Sequence, residues 1–236
     1  MTDTPLAGRL ALVTGASRGI GAATALALGK AGAHVILTAR TPGGLEAVED
    51  AIHQAGGHAT IAPLDLSESD GIPRLAAAIG ERWDALDVLV LNAAQLGSLS
   101  PVSAFDPKEL AKTLTLNVSA QAALIGSFDS MLRRSPHGRV IGLTSSVART
   151  ARAYWGMYGA SKAAFENLLL SYAEEVKALS KTRVAIVDPG ATRTKMRARA
   201  YPGEDPASVK APEVVAERIL ALLGEEFETG AFVRVG

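Results

Sequence analysis

Hydrophobic positions along the chain form short continuous runs that alternate with longer stretches in which apolar residues recur at helical spacing. Residues 9–14 (RLALVT) make one such run, which stops at Gly15, and residues 18–31 turn to alanine, leucine and isoleucine with helical spacing. The chain therefore opens as strand, glycine turn and helix. The same pattern predicts a strand over 34–39, a helix over 45–55, a strand over 59–64, a helix near 72–83 and an apolar strand over 87–91. A single helix over about 107–132 follows, with Pro107 suited to its first turn. Strand 139–144, a long helix over 158–179, strand 183–187, helix 212–223 and strand 231–235 complete the series. Strands that are apolar almost throughout, separated by helices, belong to a parallel sheet covered on both faces. The predicted fold class is α/β, a doubly wound parallel sheet of about seven strands, in one domain over 1–236 without internal linker or repeat.

Composition narrows the function. With 236 residues, 48% of them hydrophobic, the chain can bury one large core. Lysine plus arginine and aspartate plus glutamate both total 24, so no net field favours nucleic acid or an anionic membrane. The absence of cysteine rules out disulfides, thiolate metal sites and a cysteine nucleophile, and fits a reducing compartment. Residues 1–8 lack a basic region followed by an apolar run, and no apolar stretch reaches membrane-spanning length, so a soluble cytoplasmic protein is expected. His34, His53, His58 and His137 show no metal-ligand spacing, and no metal is expected.

Two stretches carry chemistry. In residues 158–162, Tyr158 and Lys162 are about one helical turn apart and leave the same face of a helix. A phenol with a pKa near ~10 is a poor acid at neutral pH, but a neighbouring ammonium favours the phenolate, and a shift to ~7 takes about 4 kcal/mol. The same spacing also suits a plain surface contact. In residues 14–21 (TGASRGIG), Gly15, Gly19 and Gly21 stand where strand one meets helix one, so the backbone can approach a pyrophosphate and the free N–H groups of the helix start can face it. The spacing G-x-x-x-G-x-G differs from the common G-x-G-x-x-G, and its position in a βαβ unit is what makes it informative.

With both stretches in view, nearly the whole chain resembles the short-chain dehydrogenase/reductase family: TGASRGIG resembles its cofactor turn and Tyr158-x-x-x-Lys162 its catalytic pair. The resemblance implies a Rossmann fold, a nicotinamide cofactor and hydride transfer between it and a carbonyl or secondary alcohol, with Tyr158 as general acid and base. It implies that Gly15, Ser17, Arg18, Gly19, Ile20 and Gly21 hold the cofactor, with Asp65 bonding the adenine beside Leu66. Leu91-Asn92-Ala93-Ala94 is similar to the family's N-N-A-G, so Asn92 joins the cofactor residues, while Leu91 and Ala94 depart from the pattern. In a Rossmann unit an acid ending strand two selects against a 2′-phosphate. Here that strand ends in Thr38-Ala39-Arg40, and Arg40, with Arg18 in the glycine turn, points to NADP(H).

For catalysis the resemblance assigns a serine at the end of strand five to the substrate carbonyl. Ser145 has the family's separation of thirteen residues from the tyrosine, whereas Ser146 immediately precedes valine as the catalytic serine often does; Ser145 is favoured on distance and both stay open. Asn117, an amide within an otherwise apolar helix, is similar to the family asparagine that holds a water linking the lysine to solvent. By the same analogy Lys162 bonds the nicotinamide ribose. After strand six, Asp188-Pro189-Gly190-Ala191-Thr192-Arg193-Thr194 is close to N-P-G-x-x-x-T, which brings Pro189, Gly190, Thr192 and Thr194 to the nicotinamide. Residues 193–210 match the variable substrate lid, and their alternating Arg193, Lys195, Arg197 and Arg199 suit either an anionic substrate or a solvated flap. Residues 154–157 are expected as a pocket wall or a packing surface.

The leading expectation is an NADP(H)-dependent carbonyl reductase or alcohol dehydrogenase acting on a small molecule. A non-catalytic nucleotide sensor on the same fold is the alternative. A sugar epimerase or dehydratase of the extended branch would need a longer C-terminal substrate region and a different glycine spacing. The long helix is apolar over more than one stripe, with Leu168, Leu169 and Leu170 in succession, and with the resemblance this implies a homotetramer or homodimer.

Overall fold

The computed structural model describes residues 4–68 and 70–236. Seven strands form one sheet in the order β3-β2-β1-β4-β5-β6-β7, and every pairing is parallel. They are β1 Leu10–Thr14, β2 His34–Ala39, β3 His58–Pro63, β4 Val88–Leu91, β5 Arg139–Leu143, β6 Arg183–Asp188 and β7 Ala231–Arg234. The connecting helices are α1 Gly19–Lys30, α2 Pro42–Gln54, α3 Gly71–Gly80, α4 Pro107–Leu114, α5 Ala120–Arg134, α6 Gly156–Lys177, α7 Lys195–Ala200 and α8 Pro212–Gly224.

The strands lack polar alternation because helices bury both faces. Ala11 and Val13 of β1 pack with Leu28, Leu45, Ile52 and Ile219 from α1, α2 and α8, while Leu10 and Leu12 pack with Ile79, Phe128, Phe165 and Leu169 from α3, α5 and α6. Strand order reverses between β1 and β4, and at such a switch point a crevice opens beyond the carboxyl ends of the strands.

Two local features depart from the periodicity. The helix expected over 107–132 is not continuous: Thr115–Ser119 forms a π turn between α4 and α5. The cause is Asn117, whose fully buried amide accepts from Gln95 N and donates to Gln95 O and Ser161 Oγ, each at 2.9 Å. An inserted residue turns that amide inward, and widened turns of this kind are frequent at functional sites. The stretch 193–210 also contains α7, a short helix the hydrophobic pattern does not reveal.

Candidate active site

The floor of the crevice is the glycine turn. Gly15 (φ +64°) and Gly19 (φ +56°) adopt the left-handed backbone that favours glycine. Gly21 is needed for closeness: a Cβ there would stand 2.3 Å from Gly15 O and 2.5 Å from Asn92 Nδ2. Asn92 Nδ2 donates to Thr14 O (2.8 Å) and Gly15 O (3.3 Å), and Thr14 Oγ1 accepts from the backbone of Asn92 and Ala93, so β4 holds the turn in place. No side chain caps the N-terminus of α1. Its leading N–H groups and positive dipole end suit a pyrophosphate, for which the glycines leave room. Ser17 lies beneath Gly44 of α2, and Ile20 packs on the core.

Around this floor stand the other residues named for the cofactor. Arg18 and Arg40 are exposed, and Arg40 Nη1 lies 3.9 Å from Asp65 Oδ2, with side chains 65% and 35% exposed. Contact that loose leaves the guanidinium available to a phosphate. Asp65 Oδ1 accepts from Ser67 N, and Leu66 is buried in the core. Beyond β6, Thr192 Oγ1 donates to Pro189 O and Gly190 O, while Lys210 reaches the carbonyls of Val235 and Gly236. Thr194 Oγ1 accepts from Arg197 N as the cap of α7, and Gly19 packs against its methyl, within 3.3 Å of where a Cβ would stand.

Tyr158, Ser161 and Lys162 occupy the inward face of the first turns of α6, and all are buried. Lys162 Nζ donates to Leu143 O at 2.7 Å, at the end of β5, and lies 5.9 Å from the centroid of the Tyr158 ring. Ser161 Oγ donates to Tyr158 O and accepts from Asn117, tying the π turn to the tyrosine backbone. Asn117 thus serves as a clamp between the loop after β4 and α6. Ser145, two residues beyond β5, keeps an extended backbone and Ser146 begins the next turn; both are half-buried, and among the described residues neither hydroxyl has a protein hydrogen-bond partner.

Burial pushes the Tyr158 phenol up, and Asp188 adds in the same direction, which opposes the fall expected beside an ammonium and favours the protonated phenol. Burial brings the Lys162 ammonium down to about 8, with Glu166 opposing that fall. Desolvation is the largest cause of both shifts, because each charged form would sit in low dielectric.

A mostly apolar wall encloses Tyr158. Leu96 and Val147 are buried against it, with Leu99, Trp155, Met196 and Ala200 packed around them. The Trp155 ring meets Tyr158 edge-on at 6.2 Å and lies 5.7 Å from Tyr201, which Arg197 covers at 3.7 Å. Arg152 Nη1 donates to Tyr201 Oη at 2.6 Å, and Arg197 pairs with Glu204 through Nε (2.7 Å) and Nη2 (2.5 Å). α7 therefore bridges the glycine turn, through Thr194, and the tyrosine, through Met196.

Thr14, Ser161, Gln95 and Glu166 were not read from the sequence as site residues. Glu166 had a usable signal, since it follows Lys162 by the same four residues that separate Lys162 from Tyr158.

A parallel sheet with this switch point, a glycine turn and a buried tyrosine–lysine pair defines a dinucleotide-linked oxidoreductase. The chain belongs to the short-chain dehydrogenase family, whose model matches residues 9–205. It is 36% identical over 221 residues to the oxidoreductase YciK of Escherichia coli K12, covering 92% of this chain and 87% of that protein. It is 38% identical over 220 residues to the rhamnolipids biosynthesis 3-oxoacyl-[acyl-carrier-protein] reductase of Pseudomonas aeruginosa, covering 87% of this chain and 80% of that one. A short-chain dehydrogenase of Shigella flexneri solved in complex with NADP superposes with a TM-score of 0.94 at 35% identity, covering 100% of this chain and 99% of that one. Among the described residues no helix is long and apolar enough to cross a membrane, and no group of three or more metal-ligating acids or histidines is present.

Proposed function

We propose that this protein is an NADP(H)-dependent oxidoreductase that interconverts a carbonyl and a secondary alcohol, with Tyr158 as the acid and base. The observation that carries the reading is the buried pair on α6, linked through Thr194 and Met196 to a glycine turn that carries Arg18, with Arg40 at the end of β2 in place of an acid. NADP(H), when bound, supplies or accepts the hydride. The turn and the first N–H groups of α1 hold its pyrophosphate, Arg18 and Arg40 its 2′-phosphate, Asp65 and Leu66 its adenine end, and Asn92, Pro189, Gly190, Thr192 and Thr194 line the nicotinamide end. The NADP complex of the Shigella relative supports this choice of cofactor.

For carbonyl reduction the proton must be on Tyr158 at neutral pH, and burial keeps it there. The phenol donates it to the substrate oxygen as negative charge develops, and Ser145 or its neighbour Ser146 shares that charge. Lys162 places an ammonium beside the phenol as it loses its proton and bonds the cofactor ribose. Asn117 holds the π turn against α6. Residues 193–210 act as the substrate lid, and the apolar wall around Tyr158 excludes water. We place the protein in the cytoplasm and read it as a homo-oligomer, the second reading favoured by the exposed Leu170 (40%) and Phe232 (39%).

NADPH oxidation over a panel of aldehydes, ketones, quinones and acyl thioesters tests the proposal, with Tyr158→Phe and Arg40→Asp in parallel. The first variant should lose turnover by at least about a thousandfold while still binding NADPH. The second should weaken NADPH more than NADH. Near-normal kcat in Tyr158→Phe would overturn the catalytic assignment, and NADPH binding without turnover of any carbonyl by the unaltered protein would make the site a sensor.

A further inference from the structure

Glu166 is a buried carboxylate, 6% exposed, one turn beyond Lys162 on α6, and the proposed mechanism gives it no task. Its two oxygens hold two points of the same segment. Thr144 Oγ1 donates to Oε1 at 2.5 Å, and Arg149 Nε donates to Oε2 at 2.8 Å. Between these points runs the segment with Ser145 and Ser146. Lys162 and Glu166 therefore grip consecutive residues at the end of β5: the ammonium takes the Leu143 carbonyl, the carboxylate the Thr144 hydroxyl. The far side of the grip is fixed too, because the Arg149 guanidinium lies 3.6 Å over the Phe232 ring of β7. The helix and the segment also meet closely elsewhere, since a Cβ on Gly159 would stand 2.8 Å from Val147 O.

We propose that Glu166 is a positioning residue, which sets the serine-bearing segment 144–149 against the helix that carries Tyr158 and Lys162. A surface carboxylate would need no such burial, and a buried one is retained only with its partners in place. The spacing between a serine hydroxyl and the phenol decides whether both reach one substrate oxygen, and small misplacements lower turnover steeply. This inference rests on the tyrosine mechanism proposed above.

The carboxylate has a second consequence. Among the described residues, the titratable and charged groups around Lys162 are Tyr158 and Glu166 on α6, Asp188 at the end of β6, which acts on Tyr158 and lies 4.0 Å from Arg234 of β7, and Arg149, which pairs with Glu166. Of these, Glu166 favours the ammonium form of Lys162. Removing its charge should make the ammonium lose its proton at lower pH.

Two substitutions separate position from charge. Glu166→Gln keeps an acceptor for Thr144 but loses the charge, and Thr144→Val keeps the charge but loses the hydroxyl. In steady-state NADPH oxidation, Thr144→Val should lower kcat by about tenfold, with NADPH affinity and the pH profile unchanged. Glu166→Gln should move the alkaline limb of the kcat profile to lower pH, and Glu166→Asp should restore part of that shift. A kcat for Thr144→Val within twofold of the unaltered protein overturns the positioning role, including where Glu166→Gln fails to fold. An unmoved alkaline limb in a folded Glu166→Gln overturns the second consequence. Tyr158→Phe, run alongside, keeps these outcomes apart from failure of the mechanism itself: if that variant turns over, the mechanism has failed whatever Glu166 does.

Discussion

Lys162 keeps an ammonium among apolar neighbours, with the Leu143 carbonyl as its hydrogen-bond partner, and its pKa falls from 10.5 to about 8. A depressed lysine binds fewer protons in the folded state than in the unfolded one across that interval. Stability of the cofactor-free protein should therefore rise as pH climbs from about 8 towards 10.5, by as much as about 3 kcal/mol. Above pH 10 the phenol of Tyr158, raised in the folded state, works in the opposite direction, because its stabilising contribution is lost as it ionises. Lys162→Met should remove most of that rise and lift Tm at pH 7 by about 4 °C while abolishing turnover. Thermal melts of both proteins from pH 6 to 10 check this, and a variant that melts below the unaltered protein at pH 7 would contradict it. The sequence made Tyr158 and Lys162 visible as a pair, but not the burial that pushes the phenol up, because that burial also draws on Leu96 and Met196, which lie tens of residues away along the chain.

Among the elements, the junction of β1 and α1 is the least tolerant. Gly21→Ala would drive a methyl into the Gly15 carbonyl and the Asn92 amide, so turn and helix must separate, at roughly 2 kcal/mol. Gly126 in α5 offers the contrast, since nothing lies within 4 Å of its would-be Cβ, and Gly126→Ala should stabilise by roughly 0.5–1 kcal/mol. Urea unfolding separates the two, and NADPH titration should show affinity lost in the first alone. The elements themselves were largely legible. Period-free apolar runs mark strands buried on both faces, and each observed end falls within one residue of that expected. The π turn was not legible as a turn, although Asn117 stood out as a misfit, because the bonds that bend the helix run to Gln95 and Ser161. α7 was hidden for a related reason: six residues carry too little periodicity, and Arg152, Glu204 and Thr194 hold it from outside.

Across the whole molecule, the proposed lid spans the two halves of the crevice, standing on Gly19 at one end and against Trp155 at the other. The bidentate Arg197–Glu204 pair clasps it to itself, and Arg152 ties it to the loop before α6. Glu204→Gln should leave the reacting groups untouched and free the lid, so KM should rise by a factor of a few with kcat nearly constant; a fall in kcat at constant KM would assign the clasp to chemistry instead. The protein also carries the means to watch this happen. It has two tryptophans: Trp83 sits against His34 and Arg82 at the amino-terminal edge of the sheet, whereas Trp155 is wedged between the reacting phenol and the Tyr201 ring. With Trp83 replaced by phenylalanine, the remaining indole becomes an optical gauge of opening, its emission tracking the neighbouring Tyr201 ring as it departs.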